Sequence, residues 1–190
     1  MANTDAKTGL RPVRHNGGGQ VRMSGRYTIA SAYGTAIYKG HPVQLTGTTN
    51  EIAVAEAGNV DNLGVFGGVS YTDASGNQVF SKYWPASTVA TNIQAWVYDD
   101  PDIVYEIQGD SVAITDIGAL ADWNAGTGSA STGLSGAYAA VNGATGTANK
   151  ALRIMGLVQR PDNAYGAYAK IEVMFAEHVL KGVVAGVGGI

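Results

Sequence analysis

The chain has 190 residues, of which 14% are charged and 27 are glycine, with no cysteine and a formal net charge of -3. This length suits one domain with a single sizeable core and an extended arm, and no linker divides it. A charged fraction well under the roughly 25% of ordinary soluble proteins, with glycine at about twice its usual ~7%, disfavours long solvated helices. The small net charge excludes nucleic acid as a default partner, and the lack of cysteine excludes disulfides, Cys-based zinc sites and thiol nucleophiles.

Residues 1–20 lack apolar periodicity, contain Pro12 and close on Gly17, Gly18 and Gly19, which predicts an extended N-terminal arm. The opening MANTDAKTGLRPVRHNGGG has no signal-peptide core and no stretch approaches ~20 apolar residues. Synthesis and folding in a cytoplasm, with no membrane partner, are therefore expected.

From Val21 onward, short β-type runs alternate with turn signals, the pattern of an all-β antiparallel barrel or sandwich over residues 21–180. Thr35–Tyr38 and Pro42–Leu45 flank Lys39, Gly40 and His41 as a candidate hairpin. Leu63–Thr72 and Gln78–Trp84 form a second one, joined by Asp73, Ala74, Ser75, Gly76 and Asn77. The alternating run at Ile93–Tyr98 is followed by Asp99, Asp100, Pro101 and Asp102, and extended character resumes at Ile103–Ile107.

Ile114, Ile117, Leu120 and Ala121 have helical spacing, so one short helix is expected within Ile114–Trp123, weakened by Gly118. Asn124–Asn149 is a Gly, Ala, Ser and Thr loop in which Tyr138–Val141 adds a strand. Leu152–Gln159 and Tyr168–Ala176 are two strong strands, with Ile171, Val173 and Phe175 on one face of the second. Residues 181–190 form a glycine-rich apolar C-terminal tail, too short to span a membrane and expected to be covered by a neighbour.

Chemical motifs are weak. Gly182 and Gly186 give a GxxxG spacing without the apolar segment it requires. Gly126 and Gly128 lack the lysine of a phosphate loop, and Gly133, Leu134, Ser135 and Gly136 lack the spacing of a nucleophile elbow. Asp99, Asp100 and Asp102 suit a hard cation or, more simply, a proline turn. His15, His41 and His178 are scattered, so no metal site, cofactor or catalytic residue is assigned, and a non-enzymatic protein is expected.

The segments GTAIYKGHPVQLTGT (34–48), LGVFGGVSYTDASGNQVFSKYWPAS (63–87), AWVYDDPDIVYEIQ (95–108) and LRIMGLVQRPDNAYGAYAKIEVMFAEH (152–178) resemble tailed-phage virion proteins. So does TGLRPVRH at 8–15. The resemblance, which spans nearly the whole chain apart from Asn124–Asn149 and the apolar tail after His178, implies a head decoration or cement protein. Such a β-rich module binds the outside of an HK97-like shell, with the major capsid protein and further copies of itself as partners. A trimer is favoured because three-fold positions commonly take such proteins. The competing reading is a carbohydrate-binding module of the tail or fibre. A depolymerase, the third reading, would need paired carboxylates or a nucleophile with its base, and no spacing points to either.

Charge is divided along the chain. Lys7, Arg11, Arg14, Arg22 and Arg26 crowd the start, and no Lys or Arg lies between Lys82 and Lys150. That stretch holds Asp99, Asp100, Asp102, Glu106, Asp110, Asp116 and Asp122. The expectation is an arm that is disordered when free. In it Arg11, Arg14, Arg22 and Arg26 contact the capsid or a neighbour, and Asp99, Asp100, Asp102 and Glu106 form the acidic partner surface.

Overall fold

The computed structural model describes residues 3–47, 49–57, 61–141 and 150–181. In chain order the strands are β1 (Arg11–His15), β2 (Ser24–Tyr27), β3 (Ile37–Tyr38), β4 (Pro42–Leu45), β5 (Ile52–Val54), β6 (Asn62–Thr72), β7 (Gln78–Ser81) and β8 (Tyr83–Trp84). There follow β9 (Thr91–Tyr98), β10 (Ile103–Gln108), β11 (Ser111–Val112), β12 (Leu120–Asn124), β13 (Tyr138–Ala140), β14 (Leu152–Leu157), β15 (Gly166–Ala167) and β16 (Lys170–Phe175). The fold is all-β. One sheet runs β1-β10-β16-β14-β12-β13, and a second runs β2-β9-β6-β4-β5 with β7 also on β6. Two ribbons, β3–β8 and β11–β15, complete it. All strand pairings within these sheets are antiparallel. The arrangement is sandwich-like, and no closed barrel forms among the described residues.

Each sheet has its own apolar cluster, built by the period-2 alternation of its strands. In the first, Ile103, Tyr105 and Ile107 of β10 meet Ile171, Val173 and Phe175 of β16 and Leu152 and Ile154 of β14. The second gathers Ile37, Val43, Phe66, Val69, Trp84 and Val97. Strand β6 serves both: Leu63 and Phe66 enter the second cluster and Val65 the first. Gly64, at φ +151, permits this change of face, and the ladder to β9 slips again between Phe66 and Gly68.

The hairpin expected at residues 63–84 forms through β6 and β7, and the two strong strands expected near the end are present as β14 and β16, which the structure pairs with each other. Tyr138–Ala140 is a strand. The hairpin expected at Thr35–Leu45 does not form. Gly40 turns the chain at φ +89, but β3 pairs with β8 and β4 with β5 and β6. Tyr38 stacks on Tyr83, with centroids 5.4 Å apart, and that contact directs the short β3 away from β4.

The helix expected in Ile114–Trp123 is also overturned. A single 3-10 turn at Ile114–Asp116 is followed by Gly118 at φ +85 and then by β12. Ile114 and Ile117 are exposed, so their helical spacing marks no buried face. The part of the small-residue loop described, up to Val141, is packed structure: a Cβ on Gly128 would sit 2.1 Å from the Tyr38 ring. The apolar tail at 182–190, with Gly182 and Gly186, lies outside the described residues.

Candidate functional site

Tyr98 ends β9 in the second sheet and Ile103 begins β10 in the first, so Asp99–Asp102 is the crossing between the sheets. Residues 16–23 cross the same seam between β1 and β2. The two crossings are stitched together where Asn16 N donates to the Asp102 carbonyl at 2.8 Å.

Side chains reinforce the seam. Asp99, 8% exposed, accepts from Arg26 Nη2 and Tyr27 Oη on the same carboxylate oxygen, each at 2.7 Å. Burial first, then the bond to Asp99, pushes the Tyr27 hydroxyl up to about 12, so it remains a donor at neutral pH. Asp100 accepts from the Asp102 amide at 2.9 Å, an Asx turn that shapes the corner.

His15, Asp100 and Asp102 bring potential ligand atoms within 4.8 Å of one another. The hydrogen bonds settle what this cluster does. His15 Nδ1 accepts from the amides of Gly17 and Gly19 at 3.0 and 3.2 Å, so its lone pair is engaged and the neutral ring carries its proton on Nε2. That proton points at Asp100 Oδ2, 3.1 Å away. A cation on Nε2 would force the proton onto Nδ1, against two backbone donors. The cluster therefore acts as a hydrogen-bonded clasp, and the three glycines form a turn folded about His15.

On the outer face of the first sheet, Glu106 of β10 lies directly opposite Glu172 of β16 on one side and Arg11 of β1 on the other. Like charges opposed across a ladder repel. Two arginines answer this: Arg14 bonds Glu172 at 2.7 Å, and Arg160 pairs with Glu106, which is 7% exposed. Beside them, a cavity of about 290 Å³ lies between the arm and the loop before β16, bordered by Asn3, Thr4, Arg160, Asp162, Tyr168 and Lys170. It sits at the small end of ligand-pocket sizes.

The structure thus places Arg14 and Arg26 on acidic groups of their own chain. Arg11 faces Glu106 across the ladder, and Arg22 bonds Gln20. The arm is extended, but β1 is hydrogen-bonded into the sheet, Asn3 bonds the carbonyls of Ala164 and Ala167, and Leu10 is buried in the first cluster. Pairing with β10 satisfies its backbone groups, and the acidic surface that the arm meets here is that of its own chain. Arg160, Glu172 and Tyr27 were missed. The signal for Glu172 was its alternation with Ile171 and Val173, which places it on the opposite face. No helix among the described residues is long and apolar enough to cross a membrane. The chain matches no protein-family model and no curated protein.

Proposed function

We propose that this chain is a structural virion protein that binds the outside of an HK97-like phage capsid as a homo-oligomer and stabilises the shell. The observation that carries the reading is where the resembling segments fall. Residues 34–48 supply β3 and β4, 63–87 supply nearly all of β6 with β7 and β8, 95–108 cover the second half of β9 and all of β10, and 152–178 supply β14 to β16. The resemblance therefore falls on β1, β10, β16 and β14 of the first sheet and on β4, β6, β7 and half of β9 in the second, while β2, β5, β12 and β13 lie outside it. A twin-core β module with its charges paired across the seam suits a part that reinforces an assembly. In this proposal the major capsid protein and further copies of the chain are the partners, and no catalytic residue, nucleic acid or membrane is involved.

The test is to add the purified protein to capsids lacking it and to measure occupancy by cryo-electron microscopy and shell melting by light scattering. Decorated shells that melt at higher temperature are expected. Bare shells, with binding instead to host glycans on an array, would replace this reading with the tail or fibre module.

A further inference from the structure

The N-terminal segment, residues 3–15, is attached to the rest of the molecule in an unusual way. Its contacts to the body are almost all polar. Asn3 bonds the loop before β16, Asp5 and the Ala6 amide bond Gln108, and Leu10 N bonds the Gly40 carbonyl. Lys7 lies 4.9 Å above the Tyr138 ring. Arg14 and His15 bond Glu172 and Asp100. Leu10 is the one apolar side chain of the segment that is buried among the described residues. Segments with few buried apolar contacts and many exposed hydrogen bonds open at low cost.

The connection to the body has its own character. Residues 16–20 are all exposed, and their side-chain bonds are local, from Gly17 and Gly19 to His15 and from Arg22 to Gln20. Their described bond to the body is Asn16 to Asp102, and Val21 is the first residue that packs back onto a core. Five extended residues reach roughly 17 Å. What the segment leaves behind is a complete receptor: the edge of β10, a slot for Leu10, and the carboxylates of Asp100 and Glu172.

We propose that residues 3–15 are exchanged between copies of this chain, each β1 docking on β10, Asp100 and Glu172 of a neighbouring copy. This deepens, and rests on, the homo-oligomer of the proposed function. Every contact of residues 3–15 to the body is available between two chains, because the receptor on each copy is identical; only the exposed hinge at residues 16–20, with its bonds from Gly17 and Gly19 to His15 and from Asn16 to Asp102, must change course. Charge complementarity selects the occupant. A basic segment carrying Arg11 and Arg14 meets a surface carrying Glu106, Glu172 and Asp100, in a register that a second copy reproduces residue for residue.

The test uses the full chain, which contains no cysteine of its own. Arg14 and Val104 are opposed in the β1–β10 ladder, at a separation compatible with a disulfide. Chains of two tagged lengths, one Arg14→Cys and the other Val104→Cys, are refolded together and oxidised. Exchange predicts a covalent heterodimer as the main product on a non-reducing gel, and no such band overturns the proposal. A second pair avoids the buried position. Arg14→Glu and Glu172→Arg each oppose like charges when alone, but mixed together they restore both contacts only if the segments are exchanged. The expected result is that mixed oligomers exceed the statistical share when the two tagged lengths are counted by native mass spectrometry. A statistical or segregated distribution overturns exchange. Light scattering separates the two levels: an oligomer of parent mass without arm-to-body cross-links removes exchange and leaves self-association, whereas a monomer under capsid-binding conditions removes both.

Discussion

At the scale of single residues, the outer face of the first sheet depends on how a buried carboxylate is neutralised. Glu106 and Glu172 stand opposite each other, and Arg160 is the ion-pair partner of Glu106. Removing one member of a buried pair leaves an uncompensated charge, at a cost of roughly 3–5 kcal/mol for full burial, and less here because Arg160 is partly exposed. Arg160→Ala is expected to destabilise the protein by about 2–3 kcal/mol in urea unfolding. Adding Glu106→Gln should recover part of that loss, because the stranded charge is then gone. By contrast, Arg26 and Arg14 are largely exposed, and their ion pairs are expected to contribute little.

Two histidines set the response to acid. His41 is pushed down to about 4 by burial, its ring edge-on to Trp123, and His178 is pushed down to about 4 by burial and then by Lys181. In the unfolded chain both titrate near ~6.5. Between those values the unfolded state binds more protons, so stability is full above pH 6.5 and falls as the pH drops toward 4. Each histidine accounts for a loss on the order of 3 kcal/mol across that window. Urea midpoints measured from pH 7 to pH 4.5 should show the decline, and His41→Phe should make it shallower. An unchanged slope would mean that His41 is protonated in the folded protein.

At the scale of elements, β6 holds the two cores together, and its change of face needs Gly64. A Cβ there would lie 2.0 Å from the Tyr98 carbonyl oxygen, at a φ of +151 that side chains rarely adopt. Because the obstacle is the backbone of β9, no side-chain rotation relieves it. Gly64→Ala is expected to cost about 3 kcal/mol or more, or to prevent folding altogether. Gly156 in β14 is the internal comparison: a Cβ there meets nothing within 4 Å, and Gly156→Ala should change stability by no more than ~1 kcal/mol. Equal effects at the two positions would show that steric contact at the β6–β9 junction is not what requires glycine.

For the whole molecule, the question is whether two cores mean two folding units. Strand β6 supplies side chains to both clusters, and the paired crossings at Asn16 and Asp102 tie the sheets at one seam. Opening one sheet alone would expose Val65 or Phe66 and break the bonds to Asp99. Thermal unfolding is therefore expected as one cooperative transition, with calorimetric and van't Hoff enthalpies in agreement. Two resolved transitions would show that the sheets unfold separately.

The sequence by itself determined the β class, the hairpin within residues 63–84, the last two strong strands and the shared face of Ile171, Val173 and Phe175. These follow from alternation and turn chemistry, which act over a few neighbouring residues. It also showed that positive charge crowds the start and negative charge the middle. Only the tertiary structure decided which strands sit side by side and which charges meet. Tyr38 turns to Tyr83 rather than to its chain neighbour β4, Leu120–Asn124 joins a sheet rather than a helix, and Arg160 reaches Glu106 across 54 positions of sequence. Strand partners are chosen by non-local packing and ladder length, and an ion pair follows from register once the strands are placed, so neither is written in any short window of residues.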